Sequence, residues 1–261
     1  MPDVFGLSQA QFETLLLIFI RTSSMLFVFP VFSAPQIPLM VRFGLSALIS
    51  FVLFRAIPMT APLPDIGALL AAVVSQVVLG LIVGFVAYLV FMGIQFAGEI
   101  LDIQIGFAVA NVISPQTQQQ VTVIGELELT FATLVFLISN SHLLMLQGIG
   151  GSFNLVPLPY ITLDPGVAGN IVMFLEQAFL VVFQIAAPAA VALFVVNVAL
   201  GLMARVAPQM NVFVVGFPLQ IGVGLFMLAA SVPLLAAVAP QLFSDSARHM
   251  DTVMRGLATH P

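Results

Sequence analysis

Six long apolar blocks alternate with short polar breaks along the chain. They cover residues 12–32, 41–57, 66–96, 127–146, 171–206 and 212–239, and a polar tail, QLFSDSARHMDTVMRGLATHP, follows. A helix rises 1.5 Å per residue, so about 20 residues cross a hydrocarbon core about 30 Å thick. The third and fifth blocks are longer, about 31 and 36 residues, or roughly 47 and 54 Å as straight helices. They overshoot a bilayer, kink, or fold back, and Pro188 in AAPAA (186–190) is a candidate kink. PMTAPLPD (58–65), with three prolines, ends the second block. The pattern predicts an all-α, multi-helix, membrane-associated protein with long kinked helices and helical hairpins.

Polar residues inside the blocks complicate simple spans. Arg21 lies within the first block, and Gln76, Glu176, Gln184 and Asn197 lie within others. An arginine at the centre of a bilayer costs about 2.5–3.5 kcal/mol on insertion scales. Three readings are open: the polar groups satisfy one another inside a bundle, the helices are not immersed in lipid, or they line a transport path. Gly80 and Gly84 form a GxxxG pair that lets backbones approach, although such spacing is common in apolar sequence.

The break at ARVAPQMNVF (204–213) reads as a helical hairpin turn. Pro208 removes a backbone donor and disfavours helix at Ala207. Asn211 is placed to cap the next helix, and Arg205 faces the negative end of the preceding one.

Composition narrows the class. Hydrophobic residues make up 61% of the 261 and charged ones 7%, against about 25% charged in soluble domains. The net charge of −5 rests on few groups, and the six basic residues are all arginine, too few for a nucleic-acid surface. The chain has no cysteine, which excludes disulfides and thiolate metal sites. There are 24 Phe, two Tyr and no Trp; the scarcity of interfacial aromatics hints at surface that meets protein. MPDVFGLSQAQFE has no basic residue before Arg21, so no cleaved signal is expected. Arg248 and Arg255 favour a cytoplasmic C-terminus.

The most unusual stretch is GEILDIQIGFAVANVISPQTQQQ (98–120). Glu99 and Asp102 share a helical face; they are either a solvated helix end or an intramembrane proton relay. Beyond Gly106 the chain turns apolar, then polar, as a surface loop or a re-entrant loop held at membrane depth by surrounding protein. Glu126 and Glu128, two apart, read as flanking polar residues. Ser141, His142, Ser152 and Asp164 would need converging geometry to act as a catalytic set, so no catalytic residue is assigned. Three scattered histidines suggest no metal site and no cofactor.

GLMARVAPQMNVFVVGFPLQI (201–221) resembles the signature of the FliR family of type III export-gate proteins. RTSSMLFVFPVFSAPQIPLMVR (21–42), GEILDIQIGFAVANVISPQ (98–116) and HLLMLQGIGGSFNLVP (142–157) resemble three further family segments in the same order. The resemblance covers nearly the whole chain. It implies a structural, non-enzymatic subunit that joins FliP-like and FliQ-like proteins in a gate for unfolded flagellar proteins. FlhB and FlhA sit alongside, in the bacterial inner (cytoplasmic) membrane at the flagellar basal body. It further implies a FliP-like part over residues 1–170, a FliQ-like hairpin over 171–243 and a polar tail over 244–261. Within the first part, a pore-plugging loop at about 106–120 contains Phe107, Ala108, Val109, Ala110, Asn111, Val112, Ile113, Ser114 and Pro115. Arg21, Arg42, Glu99, Asp102, Arg205, Pro208, Gln209 and Asn211 are the expected structural or subunit-interface residues. The alternatives are an injectisome counterpart exporting virulence proteins and, from Glu99, Asp102 and the broken helices, a secondary transporter.

Overall fold

The computed structural model describes residues 8–107, 122–162 and 164–258, apart from the side chain of Phe213. Among the described residues the elements are seven helices: α1 (Gln9–Val28), α2 (Leu39–Phe54), α3 (Ile66–Ile105), α4 (Val123–Ile138), α5 (Ser141–Leu155), α6 (Pro165–Val206) and α7 (Val212–Gly256). α1, α3, α6 and Val214–Gly256 of α7 are long and apolar enough to cross a bilayer, and α4 with α5 passes as a broken pair. The protein is all-α and membrane-embedded.

Local chemistry sets the helix ends. α1 opens with a capping box, in which Gln11 N–H donates to Ser8 Oγ at 3.4 Å and Ser8 N–H donates to Gln11 Oε1 at 2.9 Å. It closes at Phe29, which is extended (φ −57°, ψ 133°) because Pro30 follows. Asp65 Oδ1 accepts from Ala68 N–H at 2.7 Å at the start of α3, and Asp164 Oδ1 from Gly166 N–H at 2.6 Å at the start of α6. Pro165 takes the first helical position of α6, where no backbone donor is needed. The fourth apolar block is two helices, because Asn140 adopts a left-handed φ of 58° between them. Helix continues through Pro188 of α6 and through Pro218, Pro233 and Pro240 of α7.

α7 also runs well past the apolar block into the tail. There Phe243, Ser246, Met250, Val253, Met254 and Leu257 are buried, at the three- and four-residue spacing of one helical face. The polar letters around them had masked that periodicity.

The chain divides into two compact units, one of Met1–Leu89, Asn140–Leu175 and Phe243–Pro261, the other of Val90–Ser139 and Glu176–Leu242. In the first, α1 lies against α3 at the glycine pair. A Cβ on Gly80 would stand 2.5 Å from Ser24 Cβ and 3.0 Å from the Arg21 carbonyl oxygen, and one on Gly84 2.8 Å from Val28 Cβ. α2 is inverted: Ser46 and Ser50 are its buried residues, while Met40 is 87% exposed and Val52 65%. Its serines turn their hydroxyls onto their own helix, Ser46 to the Arg42 carbonyl at 2.8 Å and Ser50 to the Ser46 carbonyl at 2.6 Å. The apolar residues of α2 face outward, as a lipid or protein environment requires. The end of α7 is tied by Thr162 N–H to the Leu257 carbonyl at 3.2 Å and Asp164 N–H to the Gly256 carbonyl at 3.3 Å. In the second unit the core gathers Leu101 and Ile105 of α3, Ile124 of α4, Ala189 and Leu193 of α6, and Leu228 of α7.

Gly80→Ala is expected to destabilise the detergent-extracted chain by about 1–3 kcal/mol, because the obstruction is backbone and Cβ. Gly44→Ala on α2, where nothing stands within 4 Å, is expected to be neutral or to stabilise through helix propensity. Thermal unfolding of the two variants reads the opposite signs.

Candidate functional site

In the first unit, Arg21 is wholly buried. Its Nε donates to Gln76 Oε1 at 2.6 Å, and its Nη1 to the carbonyls of Ser152 at 3.0 Å and Val156 at 2.8 Å. Ser152 lies in the last turn of α5 and its carbonyl also accepts from the N–H of the C-cap residue Val156 at 2.9 Å; a cation suits that end of a helix. The guanidinium lies 4.2 Å from the centroid of the Phe153 ring. Gln76 Nε2 passes the network on to the Pro159 carbonyl at 2.6 Å. Arg21 therefore joins α1, α3 and α5, and Gln76 is its acceptor. Arg42 acts locally, donating to the Ala34 carbonyl at 2.6 Å and the Ile37 carbonyl at 3.2 Å and so bracing the proline-rich turn before α2.

In the second unit, α3 and α4 run antiparallel with glycine on both sides of the crossing. A Cβ on Gly98 would stand 2.6 Å from Gly125 Cα, and one on Gly125 3.2 Å from the Gln95 carbonyl oxygen. This approach brings Asp102 to the beginning of α4. Its carboxylate accepts from Ile124 N–H at 3.0 and 3.1 Å and from Gly125 N–H at 3.2 Å. Asp102 is thus an N-cap supplied from another helix, not a solvated helix end. Glu99 is half-buried and Glu126 exposed. Glu128 departs from its reading as a flanking polar residue: it is 2% exposed, on the face that buries Ile124, Gly125, Ala132 and Phe136. Its four-residue spacing from Ile124 and Ala132 was the available signal.

α3 stops at Gly106, whose φ of 93° suits glycine. A Cβ there would stand 2.9 Å from the Phe217 ring of α7. Phe107 packs against the core of this unit. Ala108, Val109, Ala110, Asn111, Val112, Ile113, Ser114 and Pro115 lie outside the described residues.

α6 and α7 form the expected hairpin. Asn197 and Gln220 are hydrogen-bonded across it, and Gly216 lies opposite Leu200. The turn is held by Ala207 N–H to the Met203 carbonyl at 2.8 Å and Met210 N–H to the Ala207 carbonyl at 3.0 Å. Arg205 sits in the last turn of α6, and Arg205, Pro208, Gln209 and Asn211 are all exposed at the tip. A cleft of about 590 Å³ opens beside this tip, lined by Gln104 and Gly106 of α3, Asn197 and Ala204 of α6, and Val212 and Gln220 of α7. Glu176 and Gln184 are exposed on α6. Of the residues weighed as a catalytic set, Ser152 Oγ donates to the Ile149 carbonyl at 2.7 Å, and Asp164 caps α6.

Residues 12–246, which contain all three of these arrangements, match the model of the family described as bacterial export proteins, family 1. The chain belongs to this family. Similar relatives within reach of it are the flagellar biosynthetic protein FliR of Bacillus subtilis (strain 168), 37% identical over 81% of this chain and 83% of that protein, and FliR of Escherichia coli (strain K12), 31% identical over 87% of each. The Yop proteins translocation protein T of Yersinia pestis is 30% identical over 61% of this chain and 62% of its own. The family match thus includes Arg21, Asp102 and the tip residues, and it ends ten residues before the end of α7.

Asp102→Ala is expected to lower stability by about 1–2 kcal/mol, the range for a lost helix cap. Asp102→Asn keeps an acceptor and is expected to lose less. Resistance of the extracted protein to heat or protease ranks the two.

Proposed function

We propose that the chain is a structural subunit of the flagellar type III export gate, without an enzymatic role. It sits in the bacterial cytoplasmic membrane at the flagellar basal body. It assembles with FliP-like and FliQ-like subunits, with FlhB and FlhA alongside, around the path of unfolded flagellar proteins. The observation that carries this reading is coverage: flagellar relatives match more than four-fifths of the chain. The exposed surface supports a subunit rather than a free span. On α6, exposed apolar residues run from Phe179 to Val206, roughly 40 Å of helix against a hydrocarbon core about 30 Å thick. Protein contact is the natural cover for the excess. The injectisome reading rests on the shorter match to the Yersinia protein.

In this assignment residues 1–170 are the FliP-like part and residues 171–243, the greater part of the α6–α7 hairpin, are the FliQ-like part. The loop at 106–120 plugs the pore, and the exposed tip with Arg205, Pro208, Gln209 and Asn211 docks on neighbouring subunits. Co-expression with FliP-like and FliQ-like proteins, followed by native mass spectrometry, is expected to give one defined multi-subunit complex. A stable monomer or dimer indifferent to those partners would overturn the gate reading. Arg205→Ala is expected to reduce co-purification of the partners several-fold while leaving the chain folded; unaltered assembly would remove the tip from the interface. Deleting residues 108–118 is expected to raise ion leakage through the assembled complex, and unchanged leakage sinks the plug.

A further inference from the structure

Among the described residues of the second unit, Glu128 is a buried acid left without a partner. Neither carboxyl oxygen has a hydrogen-bond partner among the described residues. Its position follows from the antiparallel seam of α3 and α4. On one side of it Gly98 meets Gly125. On the other, the Phe91 and Phe136 rings meet edge to face at 5.2 Å. Glu128 stands between these two close contacts, on the buried face of α4.

Among the described residues of this unit no buried basic side chain is available as a counter-ion. From α3 the unit contributes Glu99 and Asp102, and from α4 Glu126. α6 contributes Glu176 and Arg205, both exposed, and the part of α7 in this unit, 212–242, has no titratable side chain. Asp102 is already engaged by the N–H groups of Ile124 and Gly125. A bare carboxylate sealed here would carry the desolvation cost of an unpaired buried charge, increased by the neighbouring Asp102. A metal ion is not the answer, since no group of three His, Cys, Asp or Glu able to hold one occurs among the described residues. A proton needs no coordination shell and removes the charge.

We propose that the Glu128 carboxyl is a proton-binding site set into the α3–α4 seam, beside an Asp102 that stays committed to capping α4. Loading forms an O–H bond on Glu128 and takes away one negative charge. Release returns the proton to water and leaves two negative groups flanking the glycine crossing, where repulsion works against the helix pair. Acids held inside membrane helices commonly serve proton transfer. This inference goes beyond the gate assignment and does not depend on it.

The test is infrared spectroscopy of the full chain in membranes, with whatever subunits accompany it, at neutral pH in H₂O and D₂O. The expected result is a protonated-carboxyl stretching band that shifts on deuteration. It should be lost in Glu128→Gln and kept in Glu99→Gln and Glu126→Gln. Absence of the band from the unmodified protein, or its persistence in Glu128→Gln, would overturn the proposal. So would failure of Glu128→Gln to fold, because glutamine mimics the neutral acid in size and charge. Native mass spectrometry of the same preparations reports partner binding separately, so loss of the gate reading and loss of the proton site give different results.

Discussion

A charge enclosed by apolar helices needs polar partners close at hand, because burying it unpaired is costly. Arg21 shows how much structure that requirement commits. Its donors reach Gln76 on α3 and the final carbonyls of α5, and its flat face rests near Phe153. Three helices separated widely in sequence are therefore held to one register. Hydrogen bonds to a charged group contribute about 1.5–3 kcal/mol each, more than most neutral contacts in the unit. The same residue also places a cation at the carbonyl end of α5, where the helix dipole is negative.

Glycine makes these polar arrangements possible. Where Gly80 and Gly84 remove side chains from α3, α1 comes close enough for Arg21 to reach inward. Gly98 and Gly125 do the same for α3 and α4, bringing the Asp102 carboxylate onto the N–H groups that open α4. In each unit a close backbone approach and a buried polar contact occur together. Without lipid-excluding force between helices, packing and hydrogen bonding supply the association, and here the two act at adjacent positions.

Surface chemistry then connects fold to role. The inverted α2, with serines inside and Met40 and Val52 outside, and the apolar length of α6 leave an exterior unsuited to water. The α6–α7 tip is polar, with Arg205, Pro208, Gln209 and Asn211 all exposed. Apolar helix faces longer than a bilayer needs, with a polar hairpin tip, suit a part built into a larger membrane assembly.

Much of this was legible in the sequence because it is local. Apolar block length pointed to the helices, the polar break at 204–213 to the α6–α7 turn, and the ordered motifs to the family. Asn140 escaped notice because one left-handed residue is enough to break an apolar block, and nothing in its neighbours' hydropathy announces it. The helical tail of α7 was hidden by polar residues between its buried positions. Burial of Asp102 was decided by tertiary structure, and for Glu128 the spacing from Ile124 and Ala132 marked a shared face but not what covers it: the environment of both acids comes from helix partners that meet at Gly98 and Gly125. The sequence by itself determined which stretches are helical and how the chain turns, since propensity and proline act over a few residues. The tertiary structure decided which polar groups are satisfied and which acid stands alone, since desolvation depends on what the rest of the chain brings alongside.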